Sequence, residues 1–585
     1  MTASEIQFLY EAGIALLQSG DPAGAREKFN AALAIDPTFA LAHNGIGLSY
    51  SNVGQFDAAL ESYDSAIRVD PNFSSPYVNR SFIQQKRGDI QGAMDSLHYA
   101  IKLQPDNPTA HNNLGSILTE LKMPRAAIAA LEMVMRIDPD YPLVAGLRLL
   151  NKIQICDWAG FQRDLPALGD RLDRGEAGAP PWALLPLIDR PDLQRKAAEA
   201  WILGNVPAVD VLGPVGSYPN HDRIRIGYFS ADFHRHATAH LIAELIERHD
   251  RKAFEVIAFS FGPTTGDEMQ QRLMAGADKF IDVSGKSDRD IAALAREMEI
   301  DIAVDLKGLT VGHRLGIFAH RAAPVQVNYL GFPGTLGATY FDYIIADNVI
   351  IPEESGQHYT EVVVALPGSY QVNDRKRKIA ERRFTRTELG LPETGMVFCC
   401  FNNNFKIMPY IFDMWMRILH AVPGSVLWLI EDNADAAENL RWEAERRGIE
   451  KKRLVFADRI SPEEHLARHM CADLFLDTYP YNAHTTASDA LWVGVPLITC
   501  PGDTFASRVA ASLLTAMGLP ELAVSTFDEM EELAVALAKD PARLAALKEK
   551  VRTNRDTSPL FDTDEFAHNI ESAYQQMIAD QRTKH

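Results

Sequence analysis

The sequence predicts a helical solenoid followed by two parallel α/β domains. Three observations carry this. The first 140 residues repeat every 34 residues. From Arg223 onward, short apolar runs rich in Val, Ile and Phe alternate with helix-length segments. A charged connector at 373–390 then divides that alternation into two series. At 585 residues the chain is too long for one ordinary core, so about three domains are expected.

The repeat is in register at several positions. Asp36-Pro37, Asp70-Pro71, Gln104-Pro105 and Asp138-Pro139 recur at the 34-residue step, as do Gly20, Gly54 and Gly88, with Lys122 in fourth place. Ala25, Ala59, Ala93 and Ala127 keep the step, and so do Phe29, Tyr63, Leu97 and Leu131. Small residues let paired helices approach, glycine turns the chain, and proline stops each second helix. This helix–turn–helix period resembles the tetratricopeptide repeat, in four copies over 1–140. Stacked repeats form a concave surface that suits a protein or peptide. Asn79 and Asn113 hold equivalent first-helix positions and are candidates to bond a peptide backbone. Glu11 and Gly45 stand there in the first two repeats, so the ladder is partial.

Residues 141–220 read as a helical collar, broken by a Gly/Pro loop at 174–182. The first α/β lobe is expected over 221–385, with strands in "IRIGYFS", "FEVIAFSF", "KFIDV", "DIAVDL", "VQVNYL", "DYIIAD" and "VVVAL". The second is expected over 386–585, closed by a C-terminal helix, with strands in "MVFCCFN", "SVLWLIED", "RLVFAD", "LFLDT" and "PLITCP". Such alternation makes parallel sheets covered on both faces. Ligands then sit beyond the carboxyl ends of the strands, which is where chemistry is sought.

In the first lobe, "GYFSADFHRHATAH" places Asp232, His234, His236, Thr238 and His240 after the first strand. The spacing is not that of a metal motif. One His with a nearby Asp suits proton transfer or sugar binding; the plainer reading is a helix cap by Asp232 with surface histidines. The glycines of "YLGFPGTLG" (329–337) let a backbone approach a ligand closely. In the second lobe, "CFNNNFKIMP" ends a strand with three amides and Lys406, a set suited to phosphate oxygens. Ser461 is the expected cap of the next helix, with Glu464 at capping-box spacing. His465 and Arg468 share a face of that helix, the ring for a base and the Arg for phosphate. "LDTYPYNAHTTASDALWVGVP" holds Asn482, His484, Thr485 and Thr486 at a helix start, more polar chemistry than a cap needs. A helix N-terminus attracts anions, and Asp489 can accept from ribose hydroxyls.

Other classes are disfavoured. A net charge of −20 with no basic stripe argues against a nucleic-acid partner. "DRKRKIAERR" (374–383) is mixed in sign and reads as a solvated segment. No apolar run approaches the ~20 residues that span a bilayer, so no membrane partner is expected. The start of the chain has no signal-peptide pattern, and five cysteines without paired spacing suggest neither zinc nor disulfides. A reducing cytoplasm is the expected location. There is no P-loop and no GxGxxG, and both DxD triplets lie away from strand ends. No metal and no cofactor are expected.

In combination, "GYFSADFHRHATAHL", "APVQVNYLGFPGTLGA", "FDYIIAD", "FNNNFKI", "VPGSVLWL", "HTTASDALWVGVPLIT" and "SRVAASLL" resemble a known glycosyltransferase family. It is the nucleocytoplasmic family that holds O-GlcNAc transferase and the SPINDLY proteins, and the chain is most similar to its bacterial members. The resemblance implies a GT-B fold of two Rossmann-like lobes. It also implies inverting, metal-independent transfer of a sugar from a nucleotide donor to Ser or Thr of proteins. It assigns Lys406 to the donor diphosphate and Asn403, in place of a Gln of the animal enzymes, to the same phosphate. It sets His465 near the uracil, with Arg468 in the same helix, and His484, Thr485 and Thr486 at the diphosphate. Asp489 falls on the ribose, and Leu330 and Gly331 near the sugar. His236 is implied as catalytic base with Asp232 as its partner. Pro462 stands where the animal enzymes have a uracil-holding Lys, Phe405 replaces a Tyr, and "GAPPWALLP" holds no counterpart of a further active-site His. SPINDLY proteins use GDP-fucose and lack the first His of the His-Thr-Thr motif, so His484 favours a UDP-sugar, UDP-GlcNAc first. The alternatives are a GDP-fucose, UDP-glucose or nonulosonic-acid donor, with an acceptor such as flagellin, or an inactive repeat scaffold.

Overall fold

The structure is a computed structural model that describes residues 3–215, 218 and 221–583. The chain divides into two compact units, and the break falls between Lys152 and Ile153.

In the first unit the expected repeats form paired helices, from Ala3–Gln18 and Pro22–Ile35 to Pro108–Glu120 and Pro124–Ile137. The register has a physical basis at each position. Gly20, Gly54 and Gly88 take φ of +82°, +73° and +80°, and Lys122 adopts +56° in the fourth turn without glycine's freedom. The N–H groups of Asp36, Asp70, Gln104 and Asp138 donate to Ala32, Ala66, Ala100 and Val134 and end each second helix. Ala25, Ala59, Ala93, Ala127, Phe29, Leu97 and Leu131 are fully buried.

Large residues of the second helices press on glycines of the first. A Cβ on Gly47 would lie 2.4 Å from Tyr63 Cε1, and Tyr63 is itself buried. Gly47→Ala is therefore expected to destabilise the solenoid by about 1–3 kcal/mol through overpacking. That outweighs the helix-propensity gain of at most ~1 kcal/mol. Urea unfolding followed by circular dichroism checks this; a stabilised variant would refute it.

The unit runs beyond the 140/141 boundary expected from the repeat. Helix Val144–Gln154 explains this: Asn151 donates to Thr119 Oγ1 at 2.8 Å and Arg148 pairs with Glu132 at 3.1 Å, closing the last repeat. The asparagine ladder is also displaced. Asn79 Nδ2 donates to Asn44 Oδ1 at 2.9 Å, so Asn44, one residue before Gly45, supplies the second-repeat amide.

The second unit holds two all-parallel sheets. β1 (Ile224–Ser230), β2 (Phe254–Ser260), β3 (Lys279–Asp282), β4 (Ile302–Asp305), β5 (Val325–Asn328), β6 (Tyr343–Ala346) and β7 (Val362–Ala365) form the first. Its order is β3-β2-β1-β4-β5-β6-β7. β8 (Val397–Cys400), β9 (Val426–Ile430), β10 (Leu454–Ala457), β11 (Leu474–Leu476) and β12 (Leu497–Ile498) form the second, in the order β10-β9-β8-β11-β12. Each strand falls within a run read from the sequence. Both sheets reverse direction beside their first strand, so β1/β4 and β8/β11 open crevices at their carboxyl ends.

Two boundaries are corrected. The C-terminal helix Thr563–Thr583 covers the first lobe, not the second. Glu571 accepts from His249 Nδ1 at 2.9 Å and from the Asp250 N–H at 2.8 Å, and the Tyr574 and Tyr228 hydroxyls meet at 3.3 Å. Its buried Phe566, Ile570 and Tyr574 shield a face of the first sheet that would otherwise be exposed. The collar is likewise no separate layer: Leu185, Ala198 and Ile202 belong to the first lobe's core. The expected 220/221 edge involves Asn220, which lies outside the described residues.

Candidate functional site

The turn after β11 is organised by Asp477, which the sequence reading passed over. Its buried carboxylate accepts from the N–H groups of Thr478 and Ala483, both at 2.7 Å, and from Thr499 Oγ1 at 2.7 Å. Burial pushes its carboxyl above the usual range. This pins the turn that delivers helix Thr485–Trp492. The N–H groups of Thr485 and Thr486 begin that helix without an intrahelical acceptor. Thr486 Oγ1 donates to Asn402 Oδ1, and Asn402 Nδ2 donates to Thr478 Oγ1 at 2.7 Å. Asn402 thus ties the end of β8 to the turn.

Lys406 reaches the same turn. Its ammonium donates to the Asn482 carbonyl at 2.7 Å and lies 3.8 Å from the centroid of Tyr481. Burial pushes the amine down from its ordinary value, while Asp477 pulls it back toward protonation. His484 Nε2 lies 3.2 Å from the Ala506 carbonyl, so that nitrogen carries the proton. Lys406, His484, Thr485, Thr486 and their helix N-terminus therefore gather at one turn. Of the three amides beside Lys406, Asn403 is the exposed one, and its Oδ1 accepts from Arg459 at 3.3 Å.

His465 and Arg468 do share a face, but the Arg does not point outward. Arg468 is 2% exposed; Nε and Nη2 donate to His465 Nδ1 at 3.1 and 2.8 Å, and Nη1 donates to the Asp458 carbonyl. Its guanidinium is occupied in holding the ring. His465, pushed down to about 3 chiefly by burial, is neutral and must carry its proton on Nε2. Ser461 caps the helix as expected, accepting the Glu464 N–H at 3.3 Å, and Pro462 sits in the first turn, where its missing N–H costs nothing.

Buried neutral histidines set a pH limit. His465, His469 and His484 all lie below the ordinary value, first because of burial. The unfolded chain protonates them near pH 6.5 and the folded chain does not. Their contribution is thus intact above pH ~6.5 and lost as pH falls, at about 1.4 kcal/mol per unit for each ring. Neither nitrogen of His469 has a hydrogen-bond partner. His469→Leu is expected to flatten the stability slope between pH 6.5 and 5 by about one proton, read by urea unfolding at several pH values; an unchanged slope would refute it.

At the end of β1, Asp232 is not a helix cap. His236 caps helix Ala237–Arg248, its Nδ1 accepting the Thr238 N–H at 3.3 Å. Asp232 instead accepts from Lys307 Nζ with both oxygens, at 3.1 and 3.0 Å. Lys307 follows β4, the neighbour of β1, and is 4% exposed. The sequence reading missed it, although its place just beyond a strand end is where the crevice rule points. His236 Nδ1 lies 3.5 Å from Asp232 Oδ2. Burial lowers the proton affinity of the ring, Asp232 opposes this, and Lys307, His234 and His240 add to it.

Leu330 takes φ +68°, and Gly331 has no room for a side chain: a Cβ would lie 2.3 Å from the Leu306 carbonyl oxygen and 2.7 Å from Lys307 Cα. Packing against Leu306 and Lys307, just beyond β4, is enough to require the glycine. Asp489, in the helix that starts at Thr485, accepts at Oδ1 from Arg377 of the connector at 2.5 Å. The connector is thus not simply solvated. Asp374 is 1% exposed and pairs with Arg272.

The collar reaches this site through Asp189. Its carboxylate accepts from the N–H groups of Asp503 and Thr504 and the hydroxyls of Thr504, Ser507 and Tyr479, at 2.6 to 2.9 Å. The loop so held presents the Ala506 carbonyl to His484 and to the Asn482 N–H. A cavity of about 530 Å³ opens elsewhere, lined by Asp347, Gly368, Thr515, Met517 and Asn554 among others. None of the candidate residues lines it, and Asp347 is already filled by three N–H groups and the Ser512 hydroxyl.

Two doubly wound parallel lobes, with polar groups gathered at strand ends and a helix start, define an α/β protein of the class that places ligands at such crevices. The chain belongs to glycosyl transferase family 41, whose family model matches residues 214–384 and 380–570. Tetratricopeptide repeat models match 6–39, 40–73 and 85–150. The chain is similar to the Arabidopsis thaliana protein SEC, described as a probable UDP-N-acetylglucosamine–peptide N-acetylglucosaminyltransferase. They are 40% identical over 370 residues, which cover 62% of this chain and 38% of that one. A Caenorhabditis elegans UDP-N-acetylglucosamine–peptide N-acetylglucosaminyltransferase is 30% identical over 477 residues, covering 62% and 41%. The chain spans about two fifths of the length of these curated relatives. Among solved structures, a mutant O-GlcNAc transferase of Thermobaculum terrenum matches with a TM-score of 0.63 and 28% identity, covering 100% of both chains.

Proposed function

We propose that the chain transfers N-acetylglucosamine from UDP-GlcNAc to Ser or Thr hydroxyls of proteins brought to it by the repeats. The observation that carries this is the meeting of Lys406 with the start of helix Thr485–Trp492 across the turn that Asp477 pins. In this reading the diphosphate lies on the Thr485 and Thr486 N–H groups with Lys406 and His484 beside it. Asn403 flanks it, the base lies against His465, and the ribose is near Asp489. The sugar lies toward Leu330, Gly331, Asp232 and His236.

The acceptor oxygen attacks the anomeric carbon from the face opposite the diphosphate, and the bond from that carbon to the diphosphate oxygen breaks. UDP leaves with the electron pair, which inverts the centre. Fixed N–H groups and the Lys406 ammonium offset the developing charge, so the reading needs no metal and no cofactor. The hydroxyl proton goes to His236. For that, the ring must release the Thr238 N–H and turn an Nδ1 proton to Asp232, leaving Nε2 bare. The expected partners are a nucleotide sugar and a protein acceptor, with neither nucleic acid nor membrane. Among the described residues no helix is long and apolar enough to cross a membrane. A cytoplasmic location is part of this proposal.

The test is incubation of the purified chain with radiolabelled UDP-GlcNAc and lysate proteins. Label should enter protein and be released by alkaline β-elimination; no incorporation would overturn the reading. Calorimetric titration with UDP, GDP and CMP separates this donor from GDP-fucose and nonulosonic-acid donors, and only UDP should bind tightly.

A further inference from the structure

Arg377 is a buried arginine whose bonding does not match a structural role. Its side chain is 8% exposed, and its Nε and Nη2 are buried with no hydrogen-bond partner. Two structural arginines elsewhere in the chain give the contrast. Arg453 donates to the Leu419, Val422 and Ser425 carbonyls and to Ser425 Oγ, and Arg296 donates to four carbonyls. Arg377 lies over the Trp492 ring, 5.4 Å from its centroid, and spends a single N–H on Asp489 Oδ1. An unfilled buried N–H is costly, so an arginine held this way is kept for the one bond that it makes.

That bond acts on a carboxylate only partly covered, at 22% exposed. Asp489 and Trp492 lie on one face of the same helix, so the stacked guanidinium approaches Asp489 from a fixed side. One oxygen is taken and the other remains free to accept. Burial pushes the Asp489 carboxyl up, the Arg377 charge opposes that shift, and an ionised carboxylate accepts more strongly than an acid.

We propose that Arg377 is a positioning residue for nucleotide recognition: it fixes Asp489 so that the free oxygen reads the ribose hydroxyls of the donor. This rests on the reading of Asp489 given above. The experiment is calorimetric titration of the full chain and of Arg377→Gln and Arg377→Lys with UDP, 2′-deoxy-UDP and 3′-deoxy-UDP, with a thermal unfolding control.

The full chain should bind UDP about tenfold or more tighter than at least one deoxy analogue, as one charged hydrogen bond implies. Arg377→Gln should lose that preference by weakening UDP alone, and Arg377→Lys should restore part of it. If both variants bind UDP and the deoxy analogues weaker by one common factor, or keep the preference, the proposal is overturned. Should Arg377→Gln fail to fold, Arg377→Lys alone decides: undiminished preference overturns the proposal, and a reduced one supports it. Equal binding of ribo and deoxy ligands by the unaltered chain would overturn the ribose role while leaving the diphosphate site standing. No UDP binding at all would overturn both.

Discussion

Replacing Lys406 with methionine is expected to cut sugar transfer by about 10²–10³-fold, through kcat, and to leave the fold intact. The two expectations have separate physical grounds. In the proposed reaction the diphosphate leaves as an anion, and Lys406 is the buried amine at the turn assigned to it. Methionine fills nearly the same volume without charge. The fold survives because Asp477 keeps its N–H and hydroxyl donors, and because removing a buried ammonium also removes its desolvation cost. A pH profile adds a second readout. Since burial lowers the Lys406 amine, the needed ammonium is lost as pH rises through a value below the ordinary lysine range. The alkaline limb of the rate should therefore begin below pH ~10.4 and vanish in Lys406→Met. Initial rates with UDP-GlcNAc, beside thermal unfolding, decide this; near-normal kcat in a folded variant would exclude Lys406 from leaving-group stabilisation.

The same turn shows why some of the site was legible in the sequence. Periodicity is local, so the repeat and all twelve strands could be read from the chain directly. The helix start at His484 could be read because capping chemistry is also local. What failed depends on which partner a side chain takes in the folded chain. "DRKRKIAERR" looks like a solvated run, yet Asp374 reaches Arg272 and Arg377 reaches Asp489. Arg468 looked free to meet a phosphate, but the ring three residues away takes its N–H groups. The need for glycine at 331 has a further cause that local pattern does not show, since its missing side chain makes room for the backbone of Leu306. Charge sign and residue type were read correctly in each case. Direction was not, because direction is set by the packed surroundings.

Lys307→Met is expected to destabilise the first lobe by about 3–5 kcal/mol, the largest stability effect among these variants. Asp232 and Lys307 are both nearly buried, and the ammonium meets both carboxylate oxygens. Removing the cation leaves a buried charge with its main partner gone. Relief can come from protonation of Asp232 or from a turn of the carboxylate toward His236, 3.5 Å away. The double variant Lys307→Met/Asp232→Asn should therefore recover most of the loss, since the unpaired charge and not the missing contact is the costly element. Urea unfolding of the single and double variants measures this. The proton economy gives an independent check. His236 is faced by Asp232, Lys307, His234 and His240, and Lys307 is the member whose removal frees Asp232 for the ring. In Lys307→Met the His236 imidazole should titrate at a higher pH by NMR, and any acid limb of the rate that it controls should move up with it. A single variant as stable as the double, with an unmoved His236, would mean that Asp232 is satisfied without Lys307.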